Sequence, residues 1–144
     1  MSIDWCPTRP TMSEEGAANA LLDTSVLIGL EAGRIDARQI PDGAAISVIT
    51  LSELHLGVLA ADDPDERGAR LNTLLGAERL FDPIPVDDGV ARRFAQIVHG
   101  LRRTKRRAPV LDALIAATAL EHSLVLYTRD RDFEPIEALQ LQII

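Results

Sequence analysis

Four carboxylates stand where an apolar run ends or a helical pattern begins: Asp23 in LLDTS, Glu53 in ITLSEL, Asp112 in PVLDALIA and Asp130 in VLYTRD. Carboxylates gathered at one place cannot all stay ionised unless a cation neutralises them. An all-oxygen ligand set suits a hard ion, Mg²⁺ or Mn²⁺, better than zinc, and no paired Cys/His spacing offers a zinc site. Each acid also has a local reading. Asp23 suits a helix N-cap; Glu53 falls three residues after Thr50, as in a capping box. Asp112 in a first helical turn complements the helix dipole, and Asp130 and Asp132 suit a turn. One shared edge for all four favours a common site over separate coincidences. The three histidines, His55, His99 and His122, give little support to a paired histidine acid and base, since only His55 is near an acid in sequence.

The elements that must bring these acids together alternate between strand-like and helix-like stretches, the pattern of a parallel sheet with crossover helices. Residues 18–23 read as a strand and 24–33 as a helix closed near Gly33. AAISVI continues as a β-branched run to Thr50, where the capping box is expected to start the next helix. Residues 62–66 read as a loop, 67–81 as a helix, and 83–86 as a short edge strand because of Pro83 and Pro85. A helix capped by Asp87 or Asp88 is expected to run to about Arg103. Another follows Pro109, with Leu111, Leu114, Ile115, Thr118 and Ala119 facing inward. Residues 123–128 and 139–144 supply the last strands. The expected fold is α/β, a three-layer α/β/α sandwich on a central, mainly parallel sheet, with ligands at the carboxyl ends of the strands.

At 144 residues the chain predicts one domain, taken as 18–144 behind a flexible tail at 1–17 that carries Trp5 and Cys6. A single cysteine permits no internal disulfide and fits a reducing compartment. No apolar run spans a membrane and no secretory leader is evident, so a cytoplasmic location is expected. The net charge of -7 argues against indiscriminate nucleic-acid binding. That average hides an asymmetry: Arg92, Arg93, Arg102, Arg103, Lys105, Arg106 and Arg107 fall in one stretch without an acid. Arg102 to Arg107 precede the Asp112 helix, where a phosphate backbone passing the acidic edge would meet them.

The segments LLDTSVLIGL, SVITLSELHLGV, VLDALIAATALEHSLVLYTRDRDF and LQII together resemble the PIN-domain ribonucleases, in particular the VapC toxins of bacterial type II toxin-antitoxin pairs, over roughly residues 18–144. The resemblance implies that Asp23, Glu53 and Asp112 are catalytic, metal-binding carboxylates. It puts a fourth acid in TRDRDF, where Asp130 is nearest the strand end and Asp132 stands beside it. Thr24, Ser25 and Thr128 match supporting hydroxyl positions. It implies Mg²⁺-dependent, or Mn²⁺-dependent, hydrolysis of RNA phosphodiesters, a cognate VapB-type antitoxin and a homodimer. Leu54, Leu56 and Leu59, or Leu71, Leu74 and Leu75, are candidates for an antitoxin groove. Two other classes compete. A catalytically silent PIN-like binding module would fail to bind Mg²⁺ or Mn²⁺. A phospho-acceptor signalling domain needs a strand-end lysine, and Lys105, the one lysine, lies in a basic loop.

Overall fold

The computed structural model describes residues 18–144, so the expected tail at 1–17, with Trp5 and Cys6, lies outside the described residues. Four strands, β1 (Ala20–Leu22), β2 (Ala44–Ala45), β3 (Val125–Thr128) and β4 (Leu141–Ile143), form one sheet in the order β2-β1-β3-β4. Every pairing is parallel, with Leu21 beside Leu126 and Leu126 beside Leu141. The helices are α1 (Thr24–Glu31), α2 (Val48–Ala60), α3 (Pro64–Leu80), α4 (Asp88–Arg103) and α5 (Val110–Glu121).

The period-2 alternation of a strand decides which helices cover which face. Leu21 and Leu126 point into a core with Val90, Ile97 and Leu101 of α4 and Ala113, Ile115, Ala116, Ala117 and Ala119 of α5. Their neighbours Leu22 and Tyr127 face the opposite core, built from Val26 and Leu27 of α1, Leu54 of α2 and Leu74, Ala77 and Leu80 of α3. A central strand buried on both sides must be apolar throughout, and β1 is Ala-Leu-Leu, entirely buried. The sandwich expected from the sequence is therefore the observed one.

Several boundaries differ from expectation, each for a local reason. The β-branched run folds as strand for Ala44–Ala45 alone, because Ser47 takes the N-cap position and its hydroxyl accepts from the Ile49 N–H at 3.0 Å. α2 therefore begins at Val48, and Thr50 and Glu53 form no capping box. The expected loop at 62–66 is the first turn of α3, capped by Asp63 with Pro64 at the position where a missing N–H costs nothing. The expected edge strand at 83–86 shrinks to an isolated parallel bridge between Ser47 and Ile84. Leu111 is 42% exposed rather than inward. Asp87 caps α4 by accepting from the Val90 N–H, one of the two alternatives expected.

Two positions with positive φ fix how helices end. Gly33, at φ 70°, ends α1 in the left-handed region that glycine adopts without steric cost. Lys105, at φ 57°, does the same after α4, and the Arg106 N–H reaches back to the Leu101 carbonyl at 2.8 Å in the pattern that usually recruits glycine. No helix among the described residues is long and apolar enough to cross a membrane.

Candidate active site

Each of the expected acids lies near the carboxyl end of the sheet or in a helix leaving it. Asp23 immediately follows β1 and is 5% exposed. It occupies the N-cap position of α1, yet its carboxylate caps no backbone N–H. Instead Oδ2 accepts from the Ser25 hydroxyl at 2.7 Å and from the Thr128 hydroxyl at 2.8 Å. The capping role read from sequence is met in backbone conformation only; the side chain is held by hydroxyls instead. Ser25 Oγ in turn accepts from the Arg129 N–H, and Thr128 Oγ1 from the Asp130 N–H, each at 3.0 Å. These bonds tie the end of β1 to the end of β3.

Glu53 lies inside α2 and its Oε1 accepts from the Thr24 hydroxyl at 2.6 Å. Thr24 Oγ1 is also 3.2 Å from the hydroxyl of Thr50, a wholly buried residue. Sequence reasoning took Thr50 for a helix cap; its actual place is one turn before Glu53, behind the hydroxyl that steadies the acid. Asp112 stands in the first turn of α5. Asp130 accepts from the Asp132 N–H at 2.8 Å and caps the short 3₁₀ turn Arg131–Phe133. The turn role expected for these residues is thus real, while their charges still act on the site.

Electrostatics tie the group together. The Asp112 carboxyl is pushed up to about 6, first by burial and then by the negative charges of Asp23, Glu53, Asp130 and Asp132. A helix N-terminus acts in the other direction, favouring the carboxylate, so burial together with the four surrounding acids outweighs it. None of the five takes part in an ion pair among the described residues. Such a cluster is short of positive charge, and its all-oxygen donors fit a hard divalent cation. Among the described residues no three carboxylate, histidine or cysteine side chains converge on one point as they stand, an open arrangement in keeping with unneutralised like charges. The histidines stay apart: His55 is exposed and 3.2 Å from Glu78, and His99 and His122 are exposed.

The basic residues Arg102, Arg103, Lys105, Arg106 and Arg107 are all exposed. Arg106 and Arg107 line a shallow groove of about 500 Å³ together with Arg131 and Asp132, so the basic loop borders the turn that carries Asp132. A further pocket of about 330 Å³ joins Thr24 and Glu53 to Ile28, Leu56 and Arg70.

The hydroxyl frame makes its own prediction. Thr128→Val keeps the volume, removes a donor to a buried carboxylate and leaves the Asp130 N–H without its partner. We expect a loss of about 2 kcal/mol, the cost typical of stranded buried polar groups. Urea unfolding checks it, and an unchanged midpoint would show that the frame is dispensable.

A PIN domain model matches residues 20–139. The chain is 44% identical over 119 residues to Ribonuclease VapC4 of Mycobacterium tuberculosis, covering 79% of this chain and 88% of that protein. It is 42% identical over 129 residues to Ribonuclease VapC5 of the same organism, covering 88% and 95%. The crystal structure of VapBC-5 from Mycobacterium tuberculosis, a member of the VapBC family of toxin-antitoxin systems, contains a chain that superposes with a TM-score of 0.77 at 40% identity, over 88% of this chain and 98% of that one. With the acids, the hydroxyl frame and the parallel sheet in place, this chain belongs to the PIN-domain family, among the VapC ribonucleases, a membership that implies a divalent metal ion.

Proposed function

We propose that this chain is a metal-dependent endoribonuclease toxin, that Asp23, Glu53, Asp112 and Asp130 are its catalytic and metal-holding carboxylates, and that the ion is Mg²⁺, with Mn²⁺ able to replace it. The observation that carries this reading is the charge of Asp23, Glu53, Asp130 and Asp132, brought from three separate segments, acting on Asp112. A bound divalent cation supplies a Lewis acid for the phosphate and a more acidic water. The chain's own contribution is placement. Ser25 and Thr128 hold the Asp23 carboxylate, Thr24 holds that of Glu53, and the 3₁₀ turn fixes Asp130 beside β3. Asp132 supports from the turn, while Arg102, Arg103, Lys105, Arg106 and Arg107 attract the RNA backbone. Purified protein should cleave RNA with Mg²⁺ and stop when EDTA is added. Cleavage that persists in EDTA, or none with any divalent ion, would sink the reading.

The same proposal includes a VapB-type antitoxin, a toxin homodimer and a cytoplasmic location. Leu54 and Leu74 are core residues, but Ile28, Leu56, Leu59, Leu71 and Leu75 are 39–80% exposed, and Ile28 and Leu56 line the pocket that reaches Glu53. Exposed apolar side chains spread over α1, α2 and α3 suit an amphipathic antitoxin segment. Leu59→Asp, at the most exposed of these positions, should weaken antitoxin binding about tenfold and leave RNA cleavage by the free toxin intact. Titration with the cognate antitoxin tests it; unchanged affinity would place the antitoxin elsewhere.

A further inference from the structure

A groove of about 690 Å³ runs between the second half of α4 and the loop into α5. Phe94, Val98 and Leu101 give it an apolar floor, Arg102, Lys105, Arg106 and Arg107 give it a basic rim, and no acid lines it. The α4 dipole accounts for Arg102 and Arg103 in the last turn. It does not account for Lys105, Arg106 and Arg107, which lie past the helix end and form no ion pair among the described residues. Arg106 and Arg107 also line the shallow groove that contains Asp132, so the two depressions adjoin at these residues and form a track that reaches Asp132. Phe94 is only partly buried in the core it packs against, which leaves part of its ring to the groove.

A ligand for this track needs regularly spaced negative charge and a flat apolar face. Single-stranded RNA has both, because phosphates meet the cations while an unpaired base stacks on an aromatic ring. A duplex keeps its base faces covered, and a second copy seated here symmetrically would bring like charges together. We infer that the groove is a substrate subsite in which one unpaired nucleobase rests on Phe94 and the flanking phosphates rest on Arg102, Arg106 and Arg107. This rests on the ribonuclease reading above and states which part of the substrate the enzyme holds away from the scissile bond.

The test measures binding of a labelled RNA strand of about 12 nucleotides, alone and annealed to its complement, by the full chain in EDTA. Wild type should prefer the single strand. Phe94→Leu, which keeps an apolar floor, should weaken single-strand binding about tenfold and erase the preference, while Phe94→Trp should retain it. Arg106→Gln and Arg107→Gln should weaken both forms and each lower the salt slope by about 1. Equal wild-type binding to strand and duplex, or wild-type affinity in Phe94→Leu, overturns the inference. So does an outcome in which the variants change the sedimenting mass and leave RNA affinity unaltered, which would make the groove a protein contact. Failure of the ribonuclease reading is separate, since it would show as absent cleavage with Mg²⁺ whatever these affinities are.

Discussion

Asp112→Asn is expected to reduce RNA cleavage by at least about a thousandfold, the scale on which preorganised charge at a reacting centre is lost, and at the same time to stabilise the metal-free protein. The two effects have one cause. Burial and four neighbouring acids hold the Asp112 carboxyl at about 6, so at pH 7.5 its ionised form opposes folding. Asparagine has the same shape and no charge. After discounting for the partial exposure of Asp112, the gain should be about 1 kcal/mol, and it should vanish below about pH 3, where the wild-type carboxyl is protonated in both states. Asp23→Asn should behave differently: activity falls by a similar factor but stability falls too, because the hydroxyls of Ser25 and Thr128 both donate to a carboxylate oxygen that is buried. Urea unfolding in EDTA beside cleavage assays in Mg²⁺ separates the cases. Full activity in Asp112→Asn would remove Asp112 from the machinery.

The contrast between these two acids shows what the sequence could and could not disclose. Asp23 was legible because it closes an apolar run and precedes Thr-Ser, yet nothing in that run tells that its carboxylate turns away from the helix it opens and toward a threonine more than a hundred residues later. Glu53 was expected at a helix start because of a capping box that does not exist; Ser47, closer to the strand, captures the N-cap position and displaces Thr50 into the core. Competition between neighbouring Ser and Thr caps is settled by where the sheet ends, which is a tertiary fact. The layer arrangement was legible because short apolar runs at β1 and β3 alternate with helical stretches, and the helical spacing in α4 is a strong local signal. The proline-flanked segment at Ile84 was not, since a single bridge and a short strand have the same composition. Phe94 illustrates a third limit. Its spacing with Val90, Ile97 and Leu101 marks a core face, and the opening of that face beside the basic loop depends on the turn through Lys105.

Divalent-ion binding should weaken steeply with acidity, by about tenfold per pH unit below 6, because an ion entering the cluster must release the proton that Asp112 then carries. The sign follows from the direction of the shift. A carboxyl whose folded-state value lies above its ordinary 3.8 lends stability below that value and loses it as pH rises through 6. The metal-free protein is therefore destabilised at this site as pH climbs, over the same interval in which the ionised cluster gains affinity for a cation. Thermal unfolding with and without Mn²⁺ should show a stabilisation that is large at pH 7.5, smaller at 6 and nearly absent at 4. In Asp112→Asn the metal-free curve should lose its descent through pH 6, and the Mn²⁺ increment should shrink at every pH, since the substitution removes both the titrating proton and a ligand oxygen. A Mn²⁺ effect independent of pH would mean that the ion binds away from Asp112, and the four-carboxylate assignment would then fail at its centre.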